Sequence, residues 1–402
     1  MTLLKGFAWI TFGRLLAALL QAVSLVLVAR YAGPDDFGVL AAYLGFTVVI
    51  QATFDLGIST HITKRRAHWA EDPQVVKAIR LYRYLGIALL LVLSMAGLII
   101  SHTAHYSWWL FIPLALSGCL ERQSDVRLTI ALADGDVWKN ATNLVARRSI
   151  ALVVLLMGVQ AGWSALSAFS IASVFAALCS YMLSKQLVKI DHLSSHLNCP
   201  EVKKIVGAAG PFWANSLGAQ LRNLDVLLVG FVASAPIAGY YGAVSRSVSP
   251  LRMVSSSLAA VILPMVARRG GQVRSIVGAV MVVIGTLAVA YMILAVFARE
   301  VVLLLLGSEY LPAAVAFQIV MIGLIFASSS SVFTSVLQAK GYERIVGMIS
   351  IATSLAALVG VVIGVMLFKA TGAALGLSIS YVVQCAALAL VVVWSRNTKM
   401  EK

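Results

Sequence analysis

The chain has 402 residues, of which 60% are hydrophobic and 12% charged, and its formal net charge is +15. A charged fraction about half that of ordinary soluble domains, with apolar stretches of 18 residues or more recurring from end to end, excludes a water-soluble enzyme. The basic residues are divided among short connections, which excludes a nucleic-acid-binding domain as the source of the charge. What remains is an all-α polytopic membrane protein, because lipid leaves no partner for an unpaired backbone amide or carbonyl.

The hydropathy predicts about twelve transmembrane helices. In the first half they cover residues 7–29, 37–60, 82–100, a fourth from 108 that meets charge at Glu121, 143–159 and 163–184. In the second half they cover residues 205–231, 237–265, 276–297, 312–337, 345–368 and 372–394. The separators have local causes: Gly33-Pro34 and Asp35-Asp36 part the first two, Pro236 precedes the eighth, and Lys369 to Gly372 part the last two. The expected organisation is two six-helix bundles, residues 1–184 and 205–402, joined by a connecting loop at 185–204.

Basic residues orient the chain. With the N-terminus in the cytoplasm, Lys64, Arg65, Arg66, Lys77, Lys185, Lys189, Lys203, Lys204, Arg268, Arg269 and Arg396 all fall inside. Only Arg30, Arg299 and Lys369 fall outside. Both termini and residues 185–204 are therefore expected in the cytoplasm, and 101–107 and 298–311 outside. The first apolar segment runs past signal-peptide length and contains Arg14, so it is expected to be retained.

A weak internal repeat has an offset of about 201 residues. It pairs Gly38 with Gly239, Arg14 with Asn215, and Gln21 with Arg222. Repeats of one orientation imply a pseudo-two-fold axis along the membrane normal, an arrangement suited to alternating access.

Polar groups inside predicted spans carry the functional signal. Arg14, Arg222, Arg246 and Arg252 would each cost roughly 2.5–3.5 kcal/mol at mid-membrane. With Gln21 and Asn215 they are candidates to line a hydrated, anion-accepting cavity. The acids Asp55 and Asp225 are fewer, and are candidates for cation or proton coupling; Asp225 stands three residues from Arg222, close enough to neutralise it. Thr47, Gln51, Asp55 and Ser59 recur every four residues, and Ser245, Ser249, Arg252 and Ser256 make a second polar set. Their hydroxyls could line the cavity or bond their own helix carbonyls, and the second use is the commoner one. Glu121, Arg122 and Asp125 mark either an inner gate or the point where the fourth helix leaves lipid. Cys119, Cys179, Cys199 and Cys385 form neither a metal-ligand spacing nor a disulfide framework. No catalytic constellation, metal or cofactor is expected.

The segment Ala29-Arg-Tyr-Ala-Gly-Pro-Asp-Asp-Phe-Gly38, followed by Asp55-Leu-Gly57, resembles the opening of polysaccharide-biosynthesis export proteins. These are the oligosaccharide-lipid flippases of the multidrug/oligosaccharidyl-lipid/polysaccharide exporter superfamily. Arg222-Asn-Leu-Asp225, Ala238-Gly-Tyr-Tyr-Gly-Ala243, Gly307-Ser-Glu-Tyr310 and Gln338-Ala-Lys-Gly341 extend the similarity over about the whole chain. The resemblance implies a bacterial inner-membrane flippase for an undecaprenyl-diphosphate-linked oligosaccharide, an O-antigen, capsule or exopolysaccharide repeat unit. It implies membrane lipids and a glycan polymerase or assembly proteins as partners. Two other readings stay open: a cation-coupled small-molecule exporter, motivated by Asp55 and Asp225, and a non-transporting membrane scaffold.

Overall fold

The computed structural model describes residues 3–68, 73–103, 105–188, 199–252, 274–339 and 342–397. Among these the secondary structure is helical throughout. The elements are α1 (Leu3–Asp55), α2 (Ile58–His68), α3 (Pro73–Thr103), α4 (Phe111–Ala133), α5 (Val137–Gln160) and α6 (Ala165–Leu187). They continue as α7 (Cys199–Gln220), α8 (Asp225–Val232), α9 (Ala235–Ser247), α10 (Arg274–Val296), α11 (Ala298–Leu305), α12 (Ala314–Ala339) and α13 (Glu343–Asn397).

The all-α membrane class holds, but the expected twelve spans in two six-helix bundles do not. Among the described residues six helices are long and apolar enough to cross a membrane, or seven if the pair Ile284–Val296 and Ala298–Leu305, bent by 76°, counts as one. The reasons are local. Apolar stretches counted separately meet without a loop between them: α1 is two helical stretches joined at a kink at Gly33, and α13 two joined at Phe368 and Lys369. Gly33 takes φ 78° and ψ 171°, a conformation open to glycine and strained for other residues. The fourth apolar stretch became α4, whose centre carries Glu121, Arg122, Asp125 and Arg127. The seventh breaks at a 3₁₀ turn, Leu221–Leu224, and resumes as the eight-residue α8. The eighth leaves the described residues after Arg252, and the expected outer loop at 298–311 contains α11.

Contacts gather the chain into two compact units that interleave in sequence, one of Met1–Ser24 with Tyr43–Gln220 and another of Leu25–Ala42 with Leu221–Lys402. In the first, Ile58 and Ile62 of α2, Ala78 and Leu81 of α3, Val126 and Leu128 of α4, and Ile205 and Ala209 of α7 form one buried cluster. Tyr43 packs its ring 5.1 Å from that of Phe111, and its hydroxyl donates to Leu93 O at 3.2 Å. Asn143 and Ser180 tie α5 to α6 reciprocally: Nδ2 donates to Ser180 O (2.9 Å) and Ser180 Oγ to Asn143 Oδ1 (2.7 Å). A buried amide satisfied in this way stabilises rather than penalises the fold.

In the second unit, the α1 stretch around Gly33 packs against α9 by backbone. A Cβ on Gly38 would fall well inside contact distance of Ala235 O, and one on Gly239 well inside that of Pro34 O. Residues 34 and 38 meet 235 and 239 reciprocally, at the same offset of about 201 that relates the sequence repeat. The repeat is thus expressed as a local two-fold contact. Tyr310 fixes the same corner by donating to Ala29 O (3.0 Å), as does Arg30 by donating to Leu304 O (3.1 Å). Within α13, Gly360 faces Gly376 and Gly364 faces Gly372, letting the two stretches either side of Lys369 approach backbone to backbone. The outward surface of both units is apolar: Leu91, Met182, Phe231, Met366 and Leu390 are all exposed, as lipid-facing residues should be.

Candidate functional site

The charged residues separate into two sets of opposite electrostatic character. In the first unit, α1 ends at Asp55, and Leu56 (φ 47°) and Gly57 (φ 71°) turn the chain into α2. The four-residue stripe read from the sequence is therefore broken before Ser59. The Asp55 carboxylate, 3% exposed, is saturated: it pairs with Arg122 Nη2 (3.1 Å) and accepts from Tyr82 Oη (3.1 Å) and Ser59 Oγ (2.9 Å). Gln51 donates to Gly118 O (3.1 Å), and its own carbonyl accepts from Arg122 (3.3 Å). Thr47 donates to Tyr43 O (2.8 Å), the intrahelical use that hydroxyls commonly make.

The proposed gate residues belong to the same network. Glu121 pairs with Arg148 (3.1 Å) and, at 3.8 Å, with Arg147 Nε. Asp125 pairs with Arg147 Nη1 at 3.0 Å. Three acids, Asp55, Glu121 and Asp125, thus face three arginines, Arg122, Arg147 and Arg148. The formal charge sums to zero. Such a network binds α1, α4 and α5 together and leaves little attraction for an external ion. Arg14 and Gln21, also in this unit, are exposed.

The second unit is different. Arg222, on the 3₁₀ turn before α8, donates from Nη2 to Gln384 Oε1 (3.1 Å), and its guanidinium carbon lies 5.1 Å from the Tyr381 ring centroid. Arg252 donates to the Tyr381 hydroxyl (3.4 Å) and to Ser245 O (3.2 Å). Arg246 donates to Ala41 O at 3.4 Å. Asp225 does not pair with Arg222; it accepts from Tyr241 Oη (2.8 Å) and from Val226 N (2.7 Å) at the start of α8. Among the described residues none of these three arginines has a carboxylate at ion-pair distance, and the Nε atoms of Arg222 and Arg246 are buried with no partner. Arg246 and Arg252 act on the Asp225 carboxylate, and Arg222 adjoins Arg252 across Tyr381.

Of the sequence-derived candidates, the structure brings Arg222 and Arg252 together through Tyr381, and Asp55, Ser59, Gln51 and Arg122 together around one carboxylate. Ser249 turns back to Arg246 O (2.9 Å). Ser256 and the Asn215 side chain lie outside the described residues. Sequence reasoning missed Tyr82, Tyr241, Tyr381 and Gln384. Each is an ordinary apolar or amide residue in an apolar helix, and only its distant partner gives it a role.

Residues 27–315 match the family described as polysaccharide biosynthesis protein. The chain belongs to that family. No curated protein sequence matches it. By fold it is similar to an inward-facing multidrug resistance MATE transporter of the MOP superfamily, with TM-score 0.75 and 13% identity over 95% of this chain and 94% of that one. The lipid II flippase MurJ in an inward closed conformation gives TM-score 0.76 and 14% identity over 95% and 87%. A MOP superfamily transporter from Pyrococcus furiosus, described by the reversed polarity of its binding pocket, gives 0.66 and 12% over 98% and 95%. This family member thus has the fold of MOP superfamily transporters, both drug exporters and lipid flippases. It is a multi-pass membrane protein, with six or seven helices among the described residues long and apolar enough to cross a membrane.

Proposed function

We propose that this polysaccharide biosynthesis protein translocates an undecaprenyl-diphosphate-linked oligosaccharide across the bacterial inner membrane by alternating access. The observation that carries the reading is that Arg222, Arg246 and Arg252 are held by neutral partners, with no carboxylate at ion-pair distance among the described residues. A diphosphate-sugar head group cannot enter hydrocarbon unaided, because its charge and hydroxyls lose water without compensation. Guanidiniums offer such a head group paired, charge-assisted hydrogen bonds. Membership in the polysaccharide biosynthesis family supports the same substrate class, as does the fold shared with a lipid II flippase.

A second reading, a cation-coupled small-molecule exporter, is favoured by the likeness to a multidrug transporter, and the solved structures speak for it more strongly than for the first. The charge of the second unit speaks against a cationic cargo. The two part in proteoliposomes. Under the first, a defined lipid-diphosphate-sugar reaches the opposite leaflet, and Arg246→Ala or Arg252→Ala lowers the initial rate per folded protein about tenfold or more. Membrane insertion should stay nearly intact, since each change removes a charge from a helix. Parental rates in both variants would sink the cationic assignment, and gradient-driven efflux of an organic cation with no lipid transfer would establish the second reading.

A further inference from the structure

Arginine clusters in the two units are held in chemically different ways. Every guanidinium of the Arg122, Arg147 and Arg148 set meets a carboxylate, at 3.0 to 3.1 Å for its shortest contact. Arg222 and Arg252 meet a phenol ring, a phenol hydroxyl, an amide oxygen and a backbone carbonyl. Tyr381 and Gln384 stand three residues apart on α13 and so share one face of that helix, opposite the exposed Val382 and Val383. Tyr381 is 3% exposed and touches both arginines: its ring lies against Arg222, and its hydroxyl accepts from Arg252.

Partners of this kind restrain a guanidinium in direction without cancelling its charge. A carboxylate at the same place would do both, and at 3 Å in a medium of low dielectric its field would offset most of that of one arginine. The geometry points to Tyr381 and Gln384 as positioning residues, which fix Arg222 and Arg252 while leaving their positive potential available to a phosphate-type anion. The inference rests on the anion reading of the cluster given above. It assigns to two uncharged residues of α13 the task of keeping the site both ordered and unneutralised.

The test uses the full chain, purified in detergent, with inorganic pyrophosphate as the probe. Thermal midpoint and equilibrium binding are followed against pyrophosphate concentration at fixed salt. The parent should be stabilised by pyrophosphate. Gln384→Glu keeps the shape of the side chain and places a carboxylate beside Arg222; it should leave the ligand-free midpoint unchanged or raised, and weaken binding about tenfold or more. Tyr381→Phe keeps the ring and removes one of the two acceptors of Arg252, and should weaken binding without lowering the ligand-free midpoint by a comparable margin. If Gln384→Glu does not fold, Gln384→Met, which removes the acceptor at similar volume, takes its place and should also weaken binding. A purely structural role predicts the reverse, a lowered midpoint with binding of the surviving fold unchanged. Parental affinity in Gln384→Glu and in Tyr381→Phe would overturn the positioning role alone. A parent that ignores pyrophosphate at low ionic strength would overturn the anion reading beneath it as well.

Discussion

Asp55 shows how a residue can be noticed in a sequence and still have its task decided elsewhere. An acid in an apolar stretch is costly and draws attention as a coupling group. In the structure Arg122, Tyr82 and Ser59 together occupy its oxygens, the surroundings expected of a structural anchor. Replacing Asp55 by Asn would leave the Arg122 guanidinium, itself a quarter exposed, facing a neutral amide. That should cost about 2 kcal/mol, less than a fully buried pair would because Arg122 retains some solvent. Asp55→Asn combined with Arg122→Gln should recover much of the loss, since both charges leave together. Thermal unfolding of the two single variants and the double variant measures the coupling. A coupling carboxylate would instead leave stability unaltered and remove the ion dependence of transport. Neither Tyr82 nor Arg122 could be assigned to Asp55 from spacing alone, whereas Ser59, four residues on, meets it even though Leu56 and Gly57 take positive φ.

At the scale of elements, the sequence signalled where helices are interrupted better than it signalled how many there are. Gly33 and Lys369 do break helical angles, and the apolar stretches on either side meet at a kink within α1 and within α13. Hydropathy counts solvent preference along the chain and carries no measure of how sharply the chain turns between two apolar stretches. The Gly38 and Gly239 pair, by contrast, was legible as a repeat, and its meaning is a close approach of two backbones. Gly38→Ala and Gly239→Ala should each destabilise the protein by about 1–3 kcal/mol, because a carbonyl cannot move aside as a flexible side chain can. The double variant should fall short of the sum, since either methyl separates the same two helices. Gly285→Ala is the control: nothing lies within 4 Å of its Cβ, and helix propensity should make it neutral or slightly stabilising. A Gly38→Ala midpoint equal to that of Gly285→Ala would contradict the close approach.

For the whole molecule, composition determined the solvent, and the distribution of basic residues predicts the orientation. Lys185, Lys189, Lys203 and Lys204 predict that position 190 faces the cytoplasm, and the sparse basic residues near 105 and 309 predict that those positions face outward. Single cysteines at these positions, in a chain freed of its own four, should be labelled by an impermeant thiol reagent in intact cells at 105 and 309 but not at 190. Strong labelling at 190 would reverse the orientation. The sequence by itself thus determined the class, the membrane setting, the family resemblance and which residues are too polar for their surroundings, because each follows from the cost of placing a given group in lipid. Only the tertiary structure decided which of those charges are cancelled. Asp55, Glu121 and Asp125 lie tens of residues from most of the arginines they meet, and Arg222 lies 162 residues from Gln384. Electrostatic neutrality is a property of distance in space, so a neutral network in one unit and an unneutralised one in the other could be told apart only once the helices were packed.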